Sequence, residues 1–293
     1  MILRTDLAIE TGGCAAGMSG IDREESVYGS VKVTRVTVSG DHAAGVIGKP
    51  KGRYITVEGI MLARAGADER DNTELIANEL RSLIPSDEGT VLVVGLGNRD
   101  ITPDALGPRC VERILATRHI TGELKKSTGL SSLRSVAAIA PGVLGQTGIE
   151  AAELIKALVG RMRPRAVIAV DALASRSLAR LGTTVQIGDT GISPGSGIGG
   201  RRITLNKESL GVPVIAIGVP TVVDAATLAY DILGQYDDAA ELRIDSLIQG
   251  RSMFVTPKET DLLTDRAARL IAMSVNRALQ PDTDPDTLNA LIS

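Results

Sequence analysis

The 293-residue chain has no tryptophan, a single phenylalanine (Phe254) and four tyrosines. That scarcity excludes the aromatic platforms on which single-stranded nucleic acid stacks. Cysteine is equally sparse: Cys14 and Cys110 stand alone with no Cys-x-x-Cys spacing. Neither a disulfide framework nor a cysteine-rich zinc site is expected, and a reducing setting fits better. His42 and His119 are the only histidines, so a histidine-based triad has few candidates. A net charge of −3 supplies no field for direct nucleic-acid binding. No apolar run approaches the roughly 20 residues that span a bilayer. The opening "MILRTDLAIE" carries Arg4, Asp6 and Glu10 and lacks the apolar core of a secretory signal. A soluble, cytoplasmic protein without a membrane partner is expected.

What is present is alternation. Short apolar runs, "TVLVVGLG" (90–97), "SVAAIAPG" (135–142), "AVIAVDAL" (166–173), "VPVIAIGVP" (212–220) and "SMFVTP" (252–257), are apolar on both faces, as buried parallel strands are. Between them "GPRCVERILATRHI", "GIEAAELIKALVGRM" and "VVDAATLAYDILGQY" have helical spacing, and "KETDLLTDRAARLIAMSVNRAL" (258–279) predicts a long closing helix. The pattern predicts a single α/β domain with a mostly parallel central sheet flanked by helices. "VKVTRVTVSG" (31–40) and "RYITVEGI" (53–60) alternate apolar and polar residues and predict a small N-terminal antiparallel β element. "DNTELIANELRSLI" (71–84) opens like a capping box, Asp71 with Glu74. The acidic, proline-containing stretch 280–293 reads as a loose tail.

Three motifs compete for the chemistry. Gly95-x-Gly97 would need glycine at position 100 to make a dinucleotide fingerprint, and Asp100 stands there, repelling pyrophosphate. A complete GxGxxG at Gly195, Gly197 and Gly200 leads into strand-like "RRITL" rather than a helix, so it lacks its context. "GISPG" (191–195) matches a nucleophile elbow at Ser193, but the next residue, Pro194, has no N–H for an oxyanion hole. His119 is placed at a helix end and His42 in a turn, neither suited to complete a triad. The loop 189–202 reads either as a surface connection or as a lid ending in Arg201 and Arg202, which suit an acidic substrate.

Carboxylates at strand ends remain. Ligands of open parallel sheets bind beyond the carboxyl ends of the strands. Asp171 closes "AVIAVD", and Asp104 lies in the loop leaving "VLVVGLG". An acid after five apolar residues faces desolvation unless something uses it. Asp104 has two readings, a helix-starting acid after Pro103 or a partner of Asp171. Neighbouring carboxylates can share a proton, which suits acid–base activation of water.

The blocks "RTDLAIE" (4–10), "GLGN" with "TPDALGP" (95–108), "PGVLGQTGIEAAE" (141–153), "DALASRS" (171–177), "TTVQIGDTGI" with "PGSGIG" (183–199), "GVPTVVDAATL" (218–228) and "FVTPKE" (254–259) resemble the germination protease family of endospore-forming bacteria. The resemblance runs in order over nearly the whole chain. It implies an endopeptidase that degrades small acid-soluble spore proteins, the DNA-coating proteins of dormant spores, when germination begins in the spore core. It also implies a homotetramer, a fold similar to the hydrogenase-maturation proteases, and Asp104 and Asp171 as the catalytic acids. In those related proteases the corresponding carboxylates hold a metal, so a divalent ion stays open here, with no histidine ligand evident and no cofactor otherwise expected. By the same resemblance the chain is a self-processing zymogen cut at Asp6–Leu7, with Met1–Asp6 as a short propeptide. Gly142, Gln146, Arg201 and Arg202 are the expected substrate contacts. Ser193 stands where the family is expected to have histidine.

Overall fold

The computed structural model describes residues 5–11, 18–62, 69–120, 133–193, 203–233 and 253–292. Nine strands form one sheet: β1 (Ile21–Tyr28), β2 (Val31–Val38), β3 (Gly52–Glu58), β4 (Val91–Gly95), β5 (Val136–Ile139), β6 (Ala166–Ser175), β7 (Thr184–Gly188), β8 (Val214–Asp224) and β9 (Phe254–Val255). Their order is β1-β2-β3-β7-β8-β6-β4-β5, with β9 pairing the end of β8. The strands β8, β6, β4 and β5 run parallel, and the others join antiparallel. The expected α/β architecture with a parallel centre is therefore present. The N-terminal β element is not separate, because β3 pairs with β7 and makes the hairpin strands an extension of the same sheet. The pairing of β6 with β4 over Ala166–Val170 and with β8 beyond explains why all of "AVIAVDALAS" but Ala172 is buried.

Helices cover both faces. They are α1 (Asp41–Ile47), α2 (Glu69–Leu83), α3 (Leu106–Val111), α4 (Leu144–Thr147), α5 (Ala151–Met162), α6 (Lys207–Leu210), α7 (Ala225–Leu233), α8 (Thr260–Leu279) and α9 (Pro285–Ile292). Residues from α2, α3 and α8 pack on one face against Val93, Ile168, Val170, Ile187, Ile215 and Ile217. The opposite face carries two separate clusters. One joins Leu92, Val94, Val167 and Ala169 to α5 and α6. The other joins Val36, Val38 and Tyr54 to α1 and Ala8.

Several local expectations are corrected. The helix over 71–84 starts at Glu69, so Asp71 lies inside its first turn and is not a cap; Glu74 instead pairs with Arg277 of α8 at 2.5 Å. The helix predicted over 107–120 is only Leu106–Val111, and His119 sits in an exposed turn. His42 is on the exposed side of α1 rather than in a turn. The segment read as a loose tail forms α9, which buries Leu288. Gly195, Gly197, Gly200, Arg201 and Arg202 lie outside the described residues.

Cys110 on α3 is fully buried in the main core, and burial pushes its thiol up to about 12. The thiolate is the reactive form. In a Cys14→Ser protein, Cys110 is expected to resist iodoacetamide while folded and to react on unfolding in guanidinium, as mass spectrometry would show. Rapid labelling of the folded protein would contradict this packing.

Candidate active site

The strand β4 ends at Gly95, and the chain turns back through a single 3-10 turn, Thr102–Asp104, into α3. Beyond that point β6 continues alone on the β4 side. The Leu96 N–H donates to the Val170 carbonyl at 2.8 Å. Each aspartate lies near this bond: Asp171 follows Val170 in sequence, and Asp104 packs on Gly97, which follows Leu96. The two carboxylates thus reach the same end of the sheet from different elements. The turn bearing Asp104 packs on both β6 and β8, and the Thr221 hydroxyl donates to the Pro103 carbonyl at 2.7 Å to hold it there.

Glycine makes this approach possible. Gly97 has φ +108°, and a Cβ there would lie 2.1 Å from the Asp104 carbonyl oxygen. Gly107 is wedged similarly, with a hypothetical Cβ 2.2 Å from the Leu96 carbonyl and 2.6 Å from that of Val170. The "GLGN" and "LGP" glycines therefore serve the protein's own backbone, not a phosphate.

Both carboxylates are oriented. One oxygen of Asp104 accepts the Asn98 N–H at 2.7 Å, and one of Asp171 accepts the Ala172 N–H at 2.9 Å. Asp171 is only 6% exposed. Gln146, in the short helix α4, donates to the Asn98 side chain at 2.9 Å and to Asp100 at 2.8 Å. The expected contact residue Gln146 is thus linked through Asn98 to Asp104. Gly142 lies beside it in a left-handed turn, φ +75°. Asp100, the residue that spoils the dinucleotide motif, closes this small network. Ser193 has another partner: its hydroxyl bonds that of Thr204 at 2.8 Å, next to the bridge between Ile192 and Leu205.

Register shows a feature not legible in the sequence. Asp171 pairs with Gly218, and Gly218 pairs with Gln186; directly paired residues point to one face. Asp171 and Gln186 therefore flank Gly218, about 10 Å apart at two strand spacings, and the Leu173 side chain fills the space that a Cβ at Gly218 would take. This row faces the side of the sheet that carries the two smaller clusters. The segment 5–11 lies over it. The Asp6 N–H donates to the Ala174 carbonyl at 2.9 Å, and the Asp6 carboxylate accepts the Ala174 N–H at 2.8 Å. Lys49 donates to the Asp6 carbonyl at 3.0 Å. Leu7 is wholly buried, which stabilises the segment by about 1.5–3 kcal/mol, and the Ala8 N–H donates to the Gln186 side-chain oxygen at 3.3 Å. Sequence reasoning missed Lys49, Gln186 and Arg180, because each acts on a residue more than 40 positions away.

Among the described residues no group of three or more His, Cys, Asp or Glu side chains stands close enough to share an ion. A largely apolar cavity of about 400 Å3 is lined by Met61, Leu178, Val255 and Leu263 among others; neither aspartate lines it. No helix among the described residues is long and apolar enough to cross a membrane.

A family model described as germination protease matches residues 7–237. A germination protease of Caldanaerobacter subterraneus subsp. tengcongensis is 42% identical over 99% of this chain and 98% of its own. That of Clostridium tetani is 40% identical over the full length of both. The Bacillus subtilis germination protease is 43% identical over 78% of this chain and 66% of its own. Among solved structures, a hydrogenase maturation protease of Thermococcus kodakarensis aligns with 67% of this chain and 98% of its own at a TM-score of 0.37 and 18% identity.

Proposed function

This chain belongs to the germination protease family, and from that premise we propose that it cuts small acid-soluble, DNA-coating spore proteins with a water molecule activated between Asp104 and Asp171. One carboxylate takes a proton from the water as it attacks the peptide carbonyl; the other gives a proton to the departing amine. The observation that supports this reading is that both acids lie at the carboxyl end of the parallel strand β4, Asp104 in the turn that follows it and Asp171 in the neighbouring β6, each accepting a backbone N–H. The Gln146–Asn98 link fixes the loop that presents Asp104. No step in this scheme runs through a metal.

The same reading makes the chain a zymogen that processes itself at Asp6–Leu7. The Lys49 ammonium on the Asp6 carbonyl is placed to polarise that bond. The test is incubation with a small acid-soluble spore protein, followed by intact-mass spectrometry. A discrete cut in the substrate, with loss of residues 1–6 from the enzyme, is expected. A folded enzyme that binds the substrate and leaves it whole would replace the protease reading with that of a binding module. Cleavage is expected to persist after EDTA and dialysis. Loss on chelation, restored by a divalent ion, would instead make Asp104 and Asp171 metal ligands.

A further inference from the structure

The helix α4 buries none of its side chains, so it adds little to the core, and Gln146 on it is exposed. Gln146 nevertheless spends both hydrogens of its side-chain amide on one loop of the protein. Its Nε2 donates to the Asn98 side-chain oxygen at 2.9 Å and to the Asp100 carboxylate at 2.8 Å. A primary amide has two N–H donors, so neither is left over for a substrate. The partners also fix which end of the amide faces the loop, because an ionised carboxylate only accepts. The Gln146 oxygen lies beside Gly142, 3.5 Å from where a Cβ on that glycine would stand.

The loop that Gln146 reaches is closed on itself through Asn98. The Asn98 N–H donates to the Asp104 carboxylate at 2.7 Å, and the Asn98 carbonyl accepts the Ile101 N–H at 3.2 Å. The Asn98 side-chain oxygen also accepts the Asp100 N–H at 3.0 Å, and the Ile101 carbonyl accepts the Asp104 N–H at 2.8 Å. One oxygen of Asp104 is thus aimed by a single peptide unit, that joining Gly97 to Asn98. That unit adjoins glycine, the most permissive kind of backbone, and the tether from α4 supplies a restraint that the local chain does not. The Thr221 hydroxyl holds the other end of the loop at Pro103.

We propose that Asn98 and Gln146 are positioning residues for Asp104: Gln146 braces the turn from Asn98 to Asp100, Asn98 turns its N–H onto the carboxylate, and neither side chain binds substrate. This role stands in place of the substrate contact expected of Gln146. Its consequences for rate rest on the protease reading of the same site, whereas the bracing of the loop does not. Without the brace the Asp104 carboxylate samples orientations unfit for proton transfer. The chemical step then slows, and peptide binding stays as it was.

The test compares the full chain with its Gln146→Met variant, which keeps the length of the side chain and loses its donors. Because Gln146 is exposed, the two proteins should melt together. Hydrogen exchange read by mass spectrometry is expected to be about tenfold faster in peptides spanning 98–104, and unchanged in those from β6. With a small acid-soluble spore protein as substrate, kcat should fall about tenfold, the worth of one or two such hydrogen bonds, while KM stays within about twofold. In an Asp104→Asn background the same substitution should alter the residual rate by less than about twofold, since a residue acting through Asp104 has nothing left to act on. Gln146→Glu, which turns acceptors on both partners, should reproduce the exchange and kcat effects, so the result does not hang on one variant. A raised KM at constant kcat, or equal losses in the two backgrounds, would make Gln146 a substrate contact and overturn the proposal. Unchanged exchange over 98–104 would overturn it too. If the unaltered protein leaves the spore protein whole, the protease reading falls, and the exchange result alone decides whether Gln146 braces the loop.

Discussion

On the proposed mechanism, Asp104→Asn and Asp171→Asn are each expected to lower the cleavage rate of a small acid-soluble spore protein by about 10²–10⁴-fold, the range for loss of a positioned acid or base, with the fold retained. Retention follows from the contacts. The oxygen of Asp104 that accepts from Asn98 and that of Asp171 that accepts from Ala172 both have a counterpart in asparagine, so each amide can keep its backbone bond. The double variant is expected to be little worse than either single one, since groups that act as one unit are strongly non-additive. Single-turnover rates with melting curves for all three proteins check this. If the two losses multiplied, the carboxylates would be acting separately. Undiminished cleavage in either single variant would move the chemistry elsewhere.

Gly97→Ala gives the largest expected loss of stability. Its backbone is left-handed at φ +108°, and the new Cβ would meet the Asp104 carbonyl oxygen at 2.1 Å. Backbone strain costs about 1–3 kcal/mol, and forced overlap in a packed region costs about as much again. The total, roughly 2–6 kcal/mol, is a large share of the 5–15 kcal/mol typical of a folded domain. Gly145→Ala on α4 is the control, because a Cβ there has no atom within 4 Å; a change within about 0.5 kcal/mol is expected. Urea unfolding distinguishes them. Equal midpoints would mean that the Asp104 turn stands away from β4. Any Gly97→Ala protein that folds should cleave slowly, since relief of the overlap moves Asp104.

Local pattern carried far in this chain. Five apolar runs of the predicted type are strands, though "SMFVTP" supplies only the two-residue β9. The strands β1 and β7 were missed. β1 is exposed at an edge and rich in charge, with the burial of a solvent-facing hairpin. β7, "TVQIG", is short and ends in the turn that the glycine motifs draw attention to. Helix boundaries failed where tertiary contacts overrode the pattern. Residues 112–120 have helical spacing, yet the Asn276 side chain of α8 takes the Leu115 N–H and donates to the Arg113 carbonyl, and Thr117 bonds to β5. Those partners satisfy the backbone without a helix.

Asp171 was legible because five apolar neighbours make a charged residue conspicuous, and the blocks around Asp104 and Asp171 were enough to indicate the family. What they left open was the company the two acids keep. Periodicity reports which face of a strand is buried, but strand order and register come from pairings between residues far apart. Only the order β7-β8-β6 sets Gln186, Gly218 and Asp171 in one row. Only the folded chain brings Glu10 to Arg180, 170 positions along. The sequence by itself determined the layers and pointed to the acids; the tertiary structure alone decided which groups surround them, because strand order and register join residues that no local stretch contains.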